Sequence, residues 1–152
     1  MKYERGNWRN LVIWFGNNIY SVLCLFLAVS INYAKAFNVK NNVVDLISKY
    51  EGNNCNARKK MGEYLSKVGY LVTGKCEDGA TGYDLNGTKV DNGKAYFCIK
   101  KSDTLGSTSI KKDYYTASIF FRIDLPIVGD LTKLTIKGDT EAIYFAKDDL
   151  TC

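Results

Sequence analysis

The stretch from Asn10 to Ala34 holds 25 consecutive residues without a charge, most of them apolar. Wound into a helix at 1.5 Å per residue it reaches roughly 37 Å, enough to cross a hydrocarbon core of about 30 Å with some tilt. This predicts a single membrane span and divides the chain into four parts. Residues 1–9 form a basic cytoplasmic leader, 10–34 the transmembrane helix, 35–52 an amphipathic extension of that helix, and 53–152 an extracellular domain. About 115 residues are left for a water-soluble core, the size of one domain.

Orientation follows from the flanking charge. Lys2, Arg5 and Arg9 stand against Glu4 before the span, while Lys35 and Lys40 are the first basic residues after it. More basic residues on the leader side favour a cytoplasmic N-terminus. The end of the apolar run, Ala34-Lys35-Ala36, sets a lysine inside a weak signal-cleavage match, so the expectation is a retained anchor. The whole chain carries a formal charge of +5, and its charges beyond the span are interspersed rather than clustered. That pattern describes a solvated surface and not a nucleic-acid-binding stripe.

The chain has no histidine, which removes the commonest general base and the commonest neutral metal ligand together. No paired carboxylate, lysine or thiol centre stands out in its place, so neither an enzyme nor a cofactor is expected. Of five cysteines, Cys24 lies in the span and Cys55, Cys76, Cys98 and Cys152 lie beyond it. An even set in a small exported domain reads as two disulfides, with three connectivities open. Their spacing contains no Cys-x-x-Cys knuckle of the kind zinc sites use. Asp84-Leu85-Asn86-Gly87 through Asp91 places oxygen donors in a glycine-rich loop, but the spacing fits no EF-hand and acidic residues beside glycine are ordinary turn chemistry. Asn86-Gly87-Thr88, a match to a glycosylation acceptor, marks a surface turn.

Inside the span, Gly16, Asn17 and Asn18 interrupt the apolar sequence. Two readings are open: the amides sit at headgroup level, or they form a helix–helix contact in the membrane. Past the span, Ala36, Val39, Val43, Leu46 and Tyr50 recur at helical steps with polar residues elsewhere around the wheel. One helix from about Trp8 to Glu51 is expected, closed by Gly52 as the left-handed cap residue, with two helices broken near Asn38 as the alternative.

Asn56 is placed to cap a second helix, Ala57 to Val68, with Met61, Leu65 and Val68 on one face and Gly69 closing it. Tyr70 to Thr73 is a short β-prone run, and the glycines between 74 and 94 predict loops and hairpins. Ala95 to Lys101 reads as a strand and Ser102 to Ser109 as a connection. From Thr116 to Leu125 apolar and polar residues alternate with the period of a half-buried strand, ended by Pro126. Leu131 to Phe145 is its hairpin partner, with a bulge expected at Gly138-Asp139. Phe120 is left either exposed or covered by a neighbouring loop. The fold class is therefore α+β, a long transmembrane and amphipathic helix plus a short helix packed on a small antiparallel sheet.

This layout resembles that of type IV pilin-like proteins, and more narrowly the TadE-like minor pilins or pseudopilins of tight-adherence pilus systems in Gram-positive bacteria. The matching stretches are Glu4-Arg5-Gly6-Asn7 with the apolar run, Ala36-Phe37-Asn38-Val39-Lys40-Asn41 to Glu51-Gly52, and Phe121-Arg122-Ile123-Asp124-Leu125-Pro126 through Gly129 to Gly138-Asp139-Thr140. The resemblance implies leader cleavage between Gly6 and Asn7, a bilayer and related pilin subunits as partners of the N-terminal helix, and a surface target for the sheet. It implies a role in assembling a pilus or secretion filament. Cleavage after Gly6 would set Leu11 where pilins typically carry a glutamate, which fits an accessory subunit better than a major one. The alternative is a single-pass membrane protein whose extracellular domain binds a partner unrelated to any filament.

Overall fold

The computed structural model describes residues 5–69, 71–91, 93–104, 112–125 and 129–149, without the side chains of 5–7, 9–11, 103, 104, 123–125 and 129–132. Helix α1 runs unbroken from Arg5 to Lys49, 45 residues, so the break considered near Asn38 does not occur. Ala36, Val39, Val43 and Ile47 form its buried stripe. Steps of three, four and four keep these four positions on one line down the helix. Leu46 and Tyr50, expected on that stripe, pack at its margin and stay half-buried.

The helix closes differently from the sequence expectation. Glu51, at φ 57°, takes the left-handed position, and Gly52 is the residue after it. The Gly52 N–H donates to Ile47 O (3.0 Å) and the Glu51 N–H to Ser48 O (3.1 Å), the paired bonds of a Schellman closure. Helix α2, Cys55–Val68, then turns back alongside α1, with Asn42 Nδ2 donating to the Tyr64 hydroxyl at 3.0 Å. Its cap is Asn54 and not Asn56: Asn54 Oδ1 accepts from the Ala57 N–H at 2.9 Å. Met61 and Leu65 are fully buried, and Val68 lies at the edge of the core. Gly62 lets the helix touch the next loop, since a Cβ there would stand 1.9 Å from Leu85 O.

The described strands are β1 (Ala80–Tyr83), β2 (Phe97–Thr104), β3 (Lys112–Leu125), β4 (Gly129–Asp139) and β5 (Ile143–Tyr144). They form an antiparallel sheet in the order β1-β2-β3-β4, with β5 pairing the start of β3 beyond the end of β4. Tyr115, Ala117, Ile119 and Phe121 alternate from β3 into the main core beneath both helices. Several boundaries differ from expectation. Of the expected run Tyr70–Thr73, Tyr70 lies outside the described residues and 71–73 form no strand, Leu71 making a single bridge to Phe121. Ser102 to Thr104 belong to β2, while most of the expected connection after them lies outside the described residues. The long second strand splits into β4 and β5. The register shift falls at Arg122/Ile123 instead of Gly138-Asp139. Gly138 is where α1 crosses the sheet, with Lys40 and Val44 so near that a Cβ would stand 2.7 and 2.8 Å from them.

The outer face of the sheet carries a second, smaller core of Ala95, Cys98 and Phe120, covered by Val72, Cys76, Ala80 and Val90. Phe120 is thus buried under a loop. The Val72 N–H donates to Phe120 O (3.2 Å) and the Gly74 N–H to Ala95 O (2.9 Å), laying that loop along the strands. The Cys76–Cys98 disulfide staples it down.

Candidate functional site: the uncovered half of the long helix

Along α1 the environment changes within one helical turn. From Ala36 onward every turn puts a side chain into the core. Before it, Val12, Trp14, Phe15, Ile19, Val22, Leu23, Phe26 and Ile31 are all exposed, at 51 to 69 %. A helix apolar all round with no protein against it satisfies its own backbone and leaves only its side chains to be solvated, which is what hydrocarbon accepts and water does not. The segment is long and apolar enough to cross a membrane, and α1 is a candidate membrane span.

Aromatic residues mark both ends, a signal the charge pattern alone does not reveal. Trp8 and Tyr33 are each 69 % exposed. They stand 25 positions apart, roughly 37 Å of helix, a spacing that would set the two rings at the interfacial zones of a hydrocarbon core of about 30 Å. Lys35 follows Tyr33 within two residues.

The residues singled out within the span do not share a face. Gly16, Asn17 and Asn18 are consecutive, about 100° apart around the helix, and all exposed. Nothing stands within 4 Å of a Cβ placed on Gly16. Asn18 Nδ2 donates to Trp14 O at 2.8 Å, so its amide already has a partner on its own helix. Beside it, Ile19, Val22, Leu23 and Phe26 line a shallow apolar groove. Gly6 and Asn7 fall within the start of α1, where side chains lie outside the described residues. Cys24 is an exposed free thiol. Cys55 is disulfide-bonded, and the expected position Cys152 lies outside the described residues.

At the opposite end of the domain a polar clasp joins the α1–α2 corner to the segment 147–149. Arg58 is 2 % exposed. Its Nε donates to Gly87 O (3.2 Å) and its Nη1 to Asn53 O (2.9 Å) and Asp149 O (2.7 Å), while the guanidinium lies 5.1 Å from the Tyr83 ring centroid. Asp148 Oδ1 accepts from the Tyr115 hydroxyl (2.6 Å) and the Asn53 N–H (2.9 Å), and its Oδ2 pairs with Lys101. Lys101 also reaches Asp113 Oδ2 at 3.0 Å. The Lys147 N–H donates to Glu51 O at 2.8 Å.

Electrostatics make this a lock. Burial works against the Lys101 charge, but the Asp148 and Asp113 carboxylates overcome it and hold the ammonium above its ordinary value. Burial and the hydrogen bond to Asp148 push the Tyr115 phenol up. Burial would raise Asp148, yet Lys101, the Tyr115 hydroxyl and the Asn53 N–H together hold its carboxyl below the usual range. Each group is thus fixed in the protonation state it has at neutral pH, the reverse of the tuning that proton transfer needs. Asp84 is likewise engaged in a turn, its Oδ1 accepting from the Asn86 N–H (2.9 Å) and the Thr88 N–H (2.7 Å). No protein-family model, no curated protein and no solved structure matches the chain.

Proposed function

We propose that the chain is a membrane-anchored, pilin-like subunit of the minor pilin or pseudopilin kind, taking part in assembly of a cell-surface pilus or secretion filament. The observation that carries this reading is α1 itself, a single helix half bare and apolar, half built into a small antiparallel sheet domain. The bare half would be stored in the bilayer and transferred into a bundle of like helices, where packing replaces lipid. Gly16 offers a point of close approach and the groove from Ile19 to Phe26 a seat for a neighbour's side chains. The basic leader supports a cytoplasmic N-terminus with the domain outside, where the Cys76–Cys98 disulfide is stable. The domain's role is then to bind subunits or a surface target, with no residue required to do chemistry.

A single-pass protein whose outer domain binds an unrelated partner is the second reading. Asn18 favours it, because an amide bonded to its own helix makes less demand for a neighbour. So does Leu11, which occupies the fifth position after Gly6 in place of an acid. The intact mass of the protein from its native membrane separates the two. Loss of residues 1–6 is expected for a subunit processed as a prepilin; retention of those residues favours the permanent anchor.

A further inference from the structure

Where the chain returns from β5 to the α1–α2 corner, it holds two aromatic side chains out of the core. Ile143 is buried and Ala146 packs against the main core, so both sides of the pair between them are fixed. Tyr144 is 51 % exposed and Phe145 80 %, above the 72 % of Tyr20 in the bare half of α1. Phe145 also stands at φ 59°, a left-handed conformation that bulky residues rarely adopt. Among the described residues the other non-glycine position of this kind is Glu51, at φ 57°, where the turn closes α1. Phe145 closes no helix. The two strained positions meet at one corner: the Lys147 N–H donates to Glu51 O at 2.8 Å, and a Cβ on Gly52 would stand 3.0 Å from Asp148 Oδ1. Strain of this kind persists where the surrounding structure enforces it, and it concentrates at binding and switch sites. Folding alone gains nothing from an exposed phenyl ring held at a positive φ.

We propose that Tyr144 and Phe145 form a contact between two copies of this chain anchored in one bilayer, related by a two-fold axis along the membrane normal, with Glu51 and Lys147 pairing crosswise at its rim. The proposal rests on the reading of α1 as a membrane span. The chain's own bilayer is excluded as the occupant by distance. Ala34 to Lys49 is 15 steps of helix, roughly 22 Å, which carries this corner well clear of the end of the apolar segment. Because α1 is unbroken, every copy would present the pair at the same height. A patch that meets its own copy needs both signs of charge, and the Glu51–Lys147 pair, 2.7 Å apart and largely exposed, supplies them at the same corner. Lys112 stands 5.6 Å from the Tyr144 ring centroid and lies on the rim as well. Two rings bury far less than the roughly 1,200 Å² of a stable soluble complex. Anchoring in a shared bilayer offsets that by raising the effective concentration.

The test follows self-association of the full chain, labelled at its N-terminus with a donor or an acceptor dye, by energy transfer in phosphatidylcholine bilayers. Phe145→Gly removes the ring and suits the positive φ, so its domain should unfold no earlier than the wild type while association falls about fivefold or more. Phe145→Tyr should keep the association. Lys147→Glu alone and Glu51→Lys alone should each weaken it, and vesicles holding both variants together should recover it, because only unlike copies then have complementary rims. Three results overturn the contact: wild-type transfer no higher than random encounter, undiminished association in Phe145→Gly, or mixed vesicles no better than either variant alone. If the chain still resists carbonate extraction in those cases, the span reading stands. Release of the wild type by carbonate overturns both. A Phe145→Gly domain that fails to fold assigns the ring to domain stability and also overturns the proposal.

Discussion

The two halves of α1 belong to one helix but are stabilised by different surroundings. From Ala36 to Ile47 a single stripe is apolar and faces the sheet, with Asn38, Asn41 and Asp45 turned away. From Val12 to Tyr33 the apolar residues encircle the helix and face nothing in the protein. The first half is organised by tertiary packing. The second is apolar all round with no protein against it, the surface of a candidate membrane span, and the difference shows that helix continuity does not imply one set of surroundings.

Substitutions should therefore separate the halves by assay. Ile47→Ala, in the fully buried stripe, should cost the domain about 2–5 kcal/mol in denaturant unfolding in detergent, whereas Leu23→Ala should leave that transition in place. Leu23→Arg should reverse the pattern, leaving domain unfolding unchanged but costing about 2.5–3.5 kcal/mol of membrane insertion, read as carbonate-extractable protein. If Leu23→Arg lowers the unfolding midpoint, the bare half is coupled to the core and the comparison fails.

Gly62→Ala tests the packed half from the other side of the core. The added methyl meets the Leu85 carbonyl, and overpacking of this kind should cost about 1–3 kcal/mol by the same unfolding measurement. A smaller effect is expected from Asp148→Asn, about 1 kcal/mol with solvent screening allowed for. The Asp148 carboxyl is depressed in the folded state, so its contribution is present above the unfolded value of about 3.9 and is lost as pH falls through the folded value. Lys101 and Tyr115 are raised, so theirs are present below about pH 10 and lost as pH rises further. Unfolding midpoints across pH should show the acid-side loss diminished in Asp148→Asn and the alkaline-side loss altered once Lys101 has lost that carboxylate. The smallest change should be a gain: Glu51→Gly relieves a left-handed non-glycine residue, offset by loss of an exposed pair with Lys147, and should stabilise by about 0.5 kcal/mol.

Much of this was legible in the sequence because it depends on runs and periods. The uncharged stretch, the apolar stripe after Ala36 and the alternation from Thr116 to Leu125 each follow from local pattern and burial. What was missed depends on geometry between elements. Leu46 and Ile47 are both close to the stripe, and the angle at which α1 crosses the sheet selects Ile47. Asn54 and Asn56 are equally good caps in composition; the register of α2, in which the Arg58 N–H donates to Asn54 O, selects the first. β1 was hidden by the glycines around it, since Ala80–Tyr83 becomes a strand only by pairing with β2. Burial of Arg58 was invisible because its partners are carbonyls from three separate segments.

The unbroken passage of α1 from its bare half into the core also has a mechanical consequence. In the membrane-anchored reading proposed above, a load applied to the domain would enter the bilayer segment through the backbone of a helix whose other end packs against α2 and the sheet. There is no slack tether to extend first. Force along α1 would shear Val39, Val43 and Ile47 across β3 and β4 in parallel, so extraction from the membrane and rupture of the domain would compete on the same axis.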